Sequence, residues 1–329
     1  MAAEPRPIDA ATRRLLVFGP LLAALFVEVI IFEFVGRYQG KPSFFSFDNA
    51  ILILNQSSVH GVVAVGMTFV ILTGGIDLSA GSMLAFAGVI CALVTRYGGE
   101  PAAPWIGGGW IAALVLGAGA GALVGLLVTR FAIPPFIATL ALMSSLRGLG
   151  NLITDGKPVS PLPDLYAQVG RYQLFGHVPV SVLFFVAVLV CGAVLLNMTQ
   201  FGRYVYAIGG SEESARLSGV NVARVKVKVY MLCSALTALA GLMLSSRLGA
   251  GSPKVGVGDE LAVIAAVVVG GTSLSGGRGS VVGTFVGLLV VSVLNSGLTW
   301  IGVETFGQQV TLGLVILAAV LLDKLKGQA

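Results

Sequence analysis

Charge is what this chain has least of. Only 11% of its 329 residues are Asp, Glu, Lys or Arg, against roughly 25% in a soluble domain. That deficit, with 56% hydrophobic residues and a mean hydropathy of +0.94, excludes an ordinary soluble fold and points to lipid. Histidine is almost missing. His60 and His177 are the two present, and their separation leaves no paired-histidine centre. His60 falls inside an apolar run, where a helix-packing hydrogen bond is preferred to a ligand role. Cys91, Cys191 and Cys233 stand singly in apolar runs without metal spacing, so they read as small buried hydrophobes. No Gly-x-x-x-x-Gly-Lys-Ser/Thr sequence occurs, which excludes a nucleotide P-loop. No catalytic set emerges, and no enzyme activity, metal or cofactor is expected of this chain.

What the chain does have is apolar length. Runs fall near 15–35, 55–74, 81–97, 109–131, 133–153, 179–199, 227–248, 260–271, 281–300 and 307–322. Most approach the ~20 residues of a helical span, without the alternation of barrel strands. The expected fold is an all-α integral membrane protein of about ten transmembrane helices, forming one domain over residues 1–329. The run at 260–271 is short and reads as a half-helix or re-entrant piece. Ile133-Pro134-Pro135 forces a tight break between two spans.

Glycine is abundant at 45 residues, and most glycines serve close helix packing in lipid. Two clusters read differently. Gly74-Gly75-Ile76-Asp77-Leu78-Ser79-Ala80-Gly81 and Gly270-Gly271-Thr272-Ser273-Leu274-Ser275-Gly276-Gly277 share the pattern Gly-Gly-x-x-Leu-Ser-x-Gly. Each lies between apolar runs. Backbone that leaves the helix at membrane depth must be buried in protein or line a watery path. Broken or re-entrant segments are therefore expected near 74–82 and 260–280, one in each half, as in a solute pathway between repeats.

Lys and Arg set an orientation. With a cytoplasmic N-terminal tail at 1–14, ten spans put Arg13, Arg14, Arg130, Arg203, Arg216, Arg224, Lys226, Lys228, Arg278, Lys324 and Lys326 on one side. Arg37, Lys41, Arg96, Lys157, Arg171, Arg247 and Lys254 fall outside or near it. The first span reads as uncleaved, since no clear small-residue cleavage site follows it. Both termini are then cytoplasmic, with 154–178 outside and the charged stretch 200–226 inside. In that stretch Ser211 suits an N-cap, Glu212 and Glu213 a first turn, and Gly219 a C-terminal stop. A helix near 212–218 is too short to stand alone, which leaves a docked partner or an ordinary solvated loop.

Intramembrane polar groups are candidates for the pathway. Asn55 and Gln56 open the second run, Asn295 lies late in the ninth, and Gln308 and Gln309 open the tenth. Their amides can hydrogen-bond a hydroxylated solute without the desolvation cost of a charge, or they can bond between helices. Asp77 faces a vestibule or caps the helix beginning near Ser79. Glu33 can reach the outer interface; Glu28 is deeper and has no assigned partner. So few intramembrane charges weaken a proton-driven reading.

Taken together, the residues resemble a known family. The matching pieces are Gly66-Met67-Thr68 through Gly74-Gly75-Ile76-Asp77-Leu78-Ser79, Pro135-Phe136-Ile137-Ala138-Thr139-Leu140, Arg147-Gly148, Thr154-Asp155-Gly156 and Gly202-Arg203 to Ser218-Gly219. They continue through Gly258-Asp259-Glu260-Leu261, Ile264 to Leu274, and Asn295-Ser296-Gly297-Leu298 to Gln308-Gln309-Val310. The chain is similar over nearly all its length after residue 45 to the ribose-type sugar permeases of bacterial ABC importers, relatives of the branched-chain amino acid permeases.

The resemblance implies a permease subunit in the bacterial inner membrane that imports a monosaccharide, ribose or a similar sugar. It implies three partners: a cytoplasmic ABC ATPase that uses ATP and Mg, a periplasmic sugar-binding protein, and a second permease subunit in a homodimer or heterodimer. No nucleic acid is expected. It makes 200–226 a coupling loop, with Glu212, Glu213, Ser214, Ala215, Arg216, Ser218 and Gly219 on the helix that meets the ATPase. Two departures stand out. Glu212-Glu213-Ser214-Ala215-Arg216 replaces the family's Asn and paired Ala, and Ala262-Val263 replaces Asp-Ala. The alternatives are an ion-coupled secondary transporter of a small polar solute, or a membrane channel or scaffold.

Overall fold

The computed structural model describes residues 10–99, 101–174 and 176–327. Thirteen helices occur among these residues: α1 (Ala10–Tyr38), α2 (Phe47–Leu72), α3 (Ala80–Tyr97), α4 (Ala102–Arg130), α5 (Pro135–Thr154), α6 (Asp164–Arg171), α7 (Val180–Met198), α8 (Gln200–Gly210), α9 (Glu212–Leu217), α10 (Val222–Leu248), α11 (Asp259–Val269), α12 (Val281–Ile301) and α13 (Thr305–Gly327). A small antiparallel hairpin, β1 (Gln173–Leu174) with β2 (Val178–Pro179), interrupts them before α7. Among the described residues eight helices are long and apolar enough to cross a membrane, and α13 adds a shorter apolar stretch at Thr305–Leu321. With α11, all ten expected apolar segments are helices.

Helices α2, α4 and α10 start well before their apolar runs, α4 at Ala102 and α10 at Val222. α2 starts at Phe47, well before the apolar run near 55. Ser46 accepts a hydrogen bond from the Asn49 amide and extends the helix through a polar first turn that hydropathy does not register. α11 has only 11 residues, or about 16 Å, half of a ~30 Å hydrocarbon layer.

Contacts sort the helix ends into two sets. Gly36 lies against Trp300, the Phe47 ring meets His177, Arg96 donates to the Ser160 carbonyl, and Val159 bridges Gly251. These put the C-termini of α1, α3, α10 and α12 and the start of α2 beside the 155–179 connection. At the opposite end the Leu72 carbonyl accepts from the Gly277 amide, next to Gly209. Arg37, Arg96, Arg171 and Arg247 lie at the first end; Arg203, Arg216, Lys226 and Arg278 lie at the second. Residues 1–9 of the expected tail, and the side chains of Arg13, Arg14, Lys324 and Lys326, lie outside the described residues.

α10 is the central helix, packed by α2, α3 and α4. Its approach to α4 depends on a stripe of glycine at every fourth position, Gly117, Gly121 and Gly125, which is one helix face. A Cβ on Gly117 would stand 2.8 Å from the Ser234 carbonyl and one on Gly125 2.6 Å from Val227 Cα; one on Gly121 would overlap the Tyr230 carbonyl. Close approach of this kind lets dispersion replace the hydrophobic drive that lipid does not supply. A buried hydroxyl pair, Thr68 Oγ1 to Thr284 Oγ1 at 2.7 Å, ties α2 to α12.

The 154–178 connection is more structured than its polar composition suggests. α6 docks on α10 through the fully buried Tyr166, whose hydroxyl bonds Ser245 Oγ at 2.5 Å. One aromatic anchor in an eight-residue helix is too little to show as a periodic pattern.

The α4–α10 contact makes a paired prediction. Gly121→Val should lower the thermal midpoint in detergent by several degrees, since overpacking against backbone costs about 1–3 kcal/mol. Gly119→Ala, where a Cβ meets nothing within 4 Å, should hold or raise it, because Ala is the better helix former by roughly 1 kcal/mol.

Candidate functional site

Both Gly-Gly motifs are helix breaks, built by the same device one residue out of register. α2 ends as Gly74, at φ +73°, lets its amide reach the Ile71 carbonyl while the Gly75 amide reaches Val70. α11 ends as Gly271, at φ +87°, does the same toward Val268, with Thr272 bonding Val267. Each is a left-handed cap that satisfies the last carbonyls of its helix. After the first break the Asp77 carboxylate, 1% exposed, accepts from the Ser79 amide at 2.9 Å and from Ser79 Oγ at 2.6 Å, which sets the entry to α3. After the second, Ser280 caps α12 by accepting from the Gly283 amide.

The two breaks touch. The Gly277 amide donates to the Leu72 carbonyl at 2.9 Å, and a Cβ on Gly276 would stand 3.0 Å from the Gly74 nitrogen. A third glycine closes the junction. Gly209, near the end of α8, packs so tightly that a Cβ there would overlap both the Leu72 carbonyl and the Gly277 amide. α8 is braced on the same breaks elsewhere. Tyr206 donates to the Gly279 carbonyl at 2.8 Å, and Phe201 stacks on Phe69 of α2. The sequence reading did not single out α8, whose buried positions Gly202, Val205 and Ile208 form a face too short to stand out.

α9 follows α8 after the single residue Ser211. Ser211 Oγ accepts from the Ser214 amide, and Gly219 at φ +84° ends the helix with its amide on Arg216 and that of Val220 on Ala215. Ser218 Oγ bonds back to the Ser214 carbonyl. Ala215 is buried against the bundle; Glu213 is exposed, and Leu217 is 83% exposed beside it at i+4. Glu212, also exposed, turns toward α10 instead, accepting from Lys226 at 2.5 Å and from Arg216 at 3.3 Å. The Lys226 hydrogen bond is the main reason its carboxyl lies below the ordinary range.

The other expected site residues do not form one cluster. Asn55 Oδ1 accepts from Ser181 Oγ of α7 at 2.6 Å, while Gln56 is exposed on α2. Gln308 Nε2 bonds Thr299 Oγ1 and the Val303 carbonyl, tying α13 to the end of α12, and Gln309 is exposed. Asn295 accepts from Thr299 Oγ1 through its backbone carbonyl. These groups lie toward the first end, whereas Asp77 and Ser79 lie at the break; along α2 the separation from Asn55 to Leu72 is about 25 Å. Glu33 bonds Arg37, Ser43 Oγ and the Phe45 amide. Glu28 Oε2 is buried without a hydrogen-bond partner. One pairing was illegible in the sequence: His60 of α2 meets Asp259 at the start of α11, 3.3 Å apart.

A multi-pass bundle with paired internal breaks, joined through α8 to an exposed capped helix, fits a membrane permease. The family model described as branched-chain amino acid transport system, permease component, matches residues 49–322, and the chain belongs to that family. It is 46% identical over 317 residues to the ribose import permease protein RbsC of Bacillus subtilis, covering 94% of this chain and 92% of that one. It is 43% identical over 290 residues to RbsC of Escherichia coli K12, covering 87% and 88%. The xylose transport system permease protein XylH of E. coli K12 is 34% identical over 363 aligned positions, covering 92% and 90%. No solved structure matches.

The junction predicts a sharp contrast between neighbours. Gly209→Ala should abolish transport at normal membrane abundance, because its Cβ must displace one of the two breaks. Gly210→Ala, with nothing within 4 Å, should transport normally. Uptake assays on matched membrane preparations check this.

Proposed function

We propose that this chain is the membrane-spanning subunit of an ATP-driven, binding-protein-dependent importer of a monosaccharide, ribose or a close relative. The observation that carries the reading is the near full-length identity to ribose import permeases, 46% over 94% of the chain. The exposed, capped α9 supports it, since a six-residue helix needs a docked partner to be more than marginal. An ion-coupled transporter acting alone gives α9 no task.

In this reading ATP and Mg are used by a cytoplasmic ATPase, which rests on α9 through Glu213 and Leu217. Ser211, Ser214, Ser218 and Gly219 hold the helix in shape, Ala215 seats it on the bundle, and Glu212 with Lys226 and Arg216 fastens it to α10. Nucleotide binding pushes α9, the push passes along α8 to the glycine junction, and both breaks shift together. Two permease subunits, alike or different, then alternate between outward and inward openings by rearrangement of packed units. Asn55, Gln56, Asn295, Gln308 and Gln309 line the outer path or fix its helices. Asp77 and Ser79 act by shaping the inner break. Both termini are cytoplasmic, the 155–179 connection faces a periplasmic sugar-binding protein, and the membrane is the bacterial inner one.

Gentle purification from the native membrane, with mass identification of accompanying chains, tests the partnership. An ABC ATPase in fixed ratio is expected. A chain that purifies alone and moves ribose on an ion gradient would overturn the reading.

Two variants separate the faces of α9. Glu213→Lys should leave insertion intact but uncouple ATP hydrolysis from uptake. Glu212 has a depressed carboxyl pKa, so its contribution to α9 is present above the ordinary carboxylate range and is lost as pH falls through the lower folded value. Amide-exchange protection of residues 212–220 should fall on acidification through that window, and Glu212→Gln should remove the pH dependence.

A further inference from the structure

We infer that His60 and Asp259, with Gln56 one turn away on α2, form a hydroxyl-binding subsite for the transported solute at mid-bundle. This deepens the proposed function and rests on it.

α2 is 26 residues long, or about 39 Å, and His60 lies midway along it. Asp259 reaches that depth because the chain from Gly249 to Gly258 descends into the bundle without helix. Gly251 packs on Gly88 and Val89, and Gly256 packs on Gly81, about two turns deeper along α3. Arg147 pins the descent, its guanidinium donating to the Pro253 carbonyl at 2.6 Å and the Val255 carbonyl at 2.7 Å. α11 therefore begins inside the bundle. Irregular backbone is tolerated at such depth only where protein buries it or water reaches it.

His60 and Asp259 pair at 3.3 Å, yet their side chains remain 35% and 29% open. An imidazole–carboxylate pair turned toward hydrocarbon is disfavoured, and such groups face a water-filled cavity or another protein surface. Gln56 is exposed four residues earlier on the same helix face. Glu260 belongs elsewhere: its carboxylate lies over Gly81, where a Cβ would overlap it.

The Asp259 carboxylate is an acceptor, the imidazole offers a ring nitrogen beyond the one facing Asp259, and the Gln56 amide both donates and accepts. Adjacent hydroxyls of a neutral sugar supply the complementary donors and acceptors. The imidazole and carboxylate largely satisfy each other, so the patch suits an uncharged polyol and holds it weakly enough for release.

The test places single cysteines in a Cys191→Ser background, since Cys191 is the exposed native thiol while Cys91 and Cys233 are buried. The chain is expressed with its partner subunits, and a membrane-impermeant anionic methanethiosulfonate is the probe. His60→Cys and Gln56→Cys should both react, whereas Val115→Cys, exposed on an apolar face of α4, should not. Saturating D-ribose under ATP-driven turnover should slow the reaction at Gln56→Cys, which keeps His60 and Asp259, about tenfold by mass action. Reactivity no greater than that of Val115→Cys, or a disulfide between two copies at position 60, would overturn the inference. So would reactivity at Gln56→Cys that ribose leaves unchanged while the parent transports it. Because Gln56→Cys leaves the His60–Asp259 contact intact, it reads the site even where His60→Cys fails to accumulate. Ribose uptake by the Cys191→Ser parent is followed separately. Its absence would count against the proposed function, while the reactivity pattern still decides whether the pair faces water.

Discussion

Every backbone amide and carbonyl at membrane depth must find a partner in the protein or in water that the protein admits, and this constraint governs the rest of the structure. A helix meets it internally, so most of the chain is helix. Where the chain leaves helix, as at 73–79, 249–258 and 270–280, something else must supply the bonds. Left-handed glycine caps recover the last carbonyls of α2 and α11, the Asp77 carboxylate takes the Ser79 amide, and Arg147 takes two carbonyls of the descending segment. The Leu72 carbonyl and the Gly277 amide satisfy each other across the two halves. The breaks are thus tied together by the bonds that make them tolerable in lipid.

That coupling has a mechanical consequence. A junction where a Cβ would overlap backbone, as at Gly209, has no slack. Displacement of α8 is transmitted rather than absorbed, because close-packed interiors shift between discrete arrangements and do not deform smoothly. In the proposed function α9 is the input to such a lever. It is firmly capped, fastened to α10 by Lys226, and exposed at Glu213 and Leu217. The glycine stripe between α4 and α10 packs those two helices equally closely.

Much of this was legible in the sequence because it is local. Ten apolar runs, the prolines at 134 and 135, the repeated Gly-Gly motif, and the Ser211 and Gly219 caps carry their meaning in adjacent residues. What stayed hidden depends on distant partners. His60 and Asp259 lie 199 positions apart in the chain, and nothing near either names the other. α6 is anchored by Tyr166 on α10, and α8 by Tyr206, Phe201 and Gly209 on residues far away in the sequence. Hydropathy shows α11 as short but not that α11 starts at mid-bundle. That follows from the ten-residue descent before it, whose apolar and glycine composition resembles an ordinary surface turn.

The central claim is that α9 and the breaks move as one body. Pulsed electron resonance between spin labels at Ser211→Cys and Ser275→Cys, both exposed positions, tests it in the assembled transporter with and without nucleotide. A second pair, Ser275→Cys with Gln56→Cys, reports the pathway itself. The account predicts that the first distance stays constant while the second changes with nucleotide state. A first distance that shifts with nucleotide while the second stays fixed would contradict it.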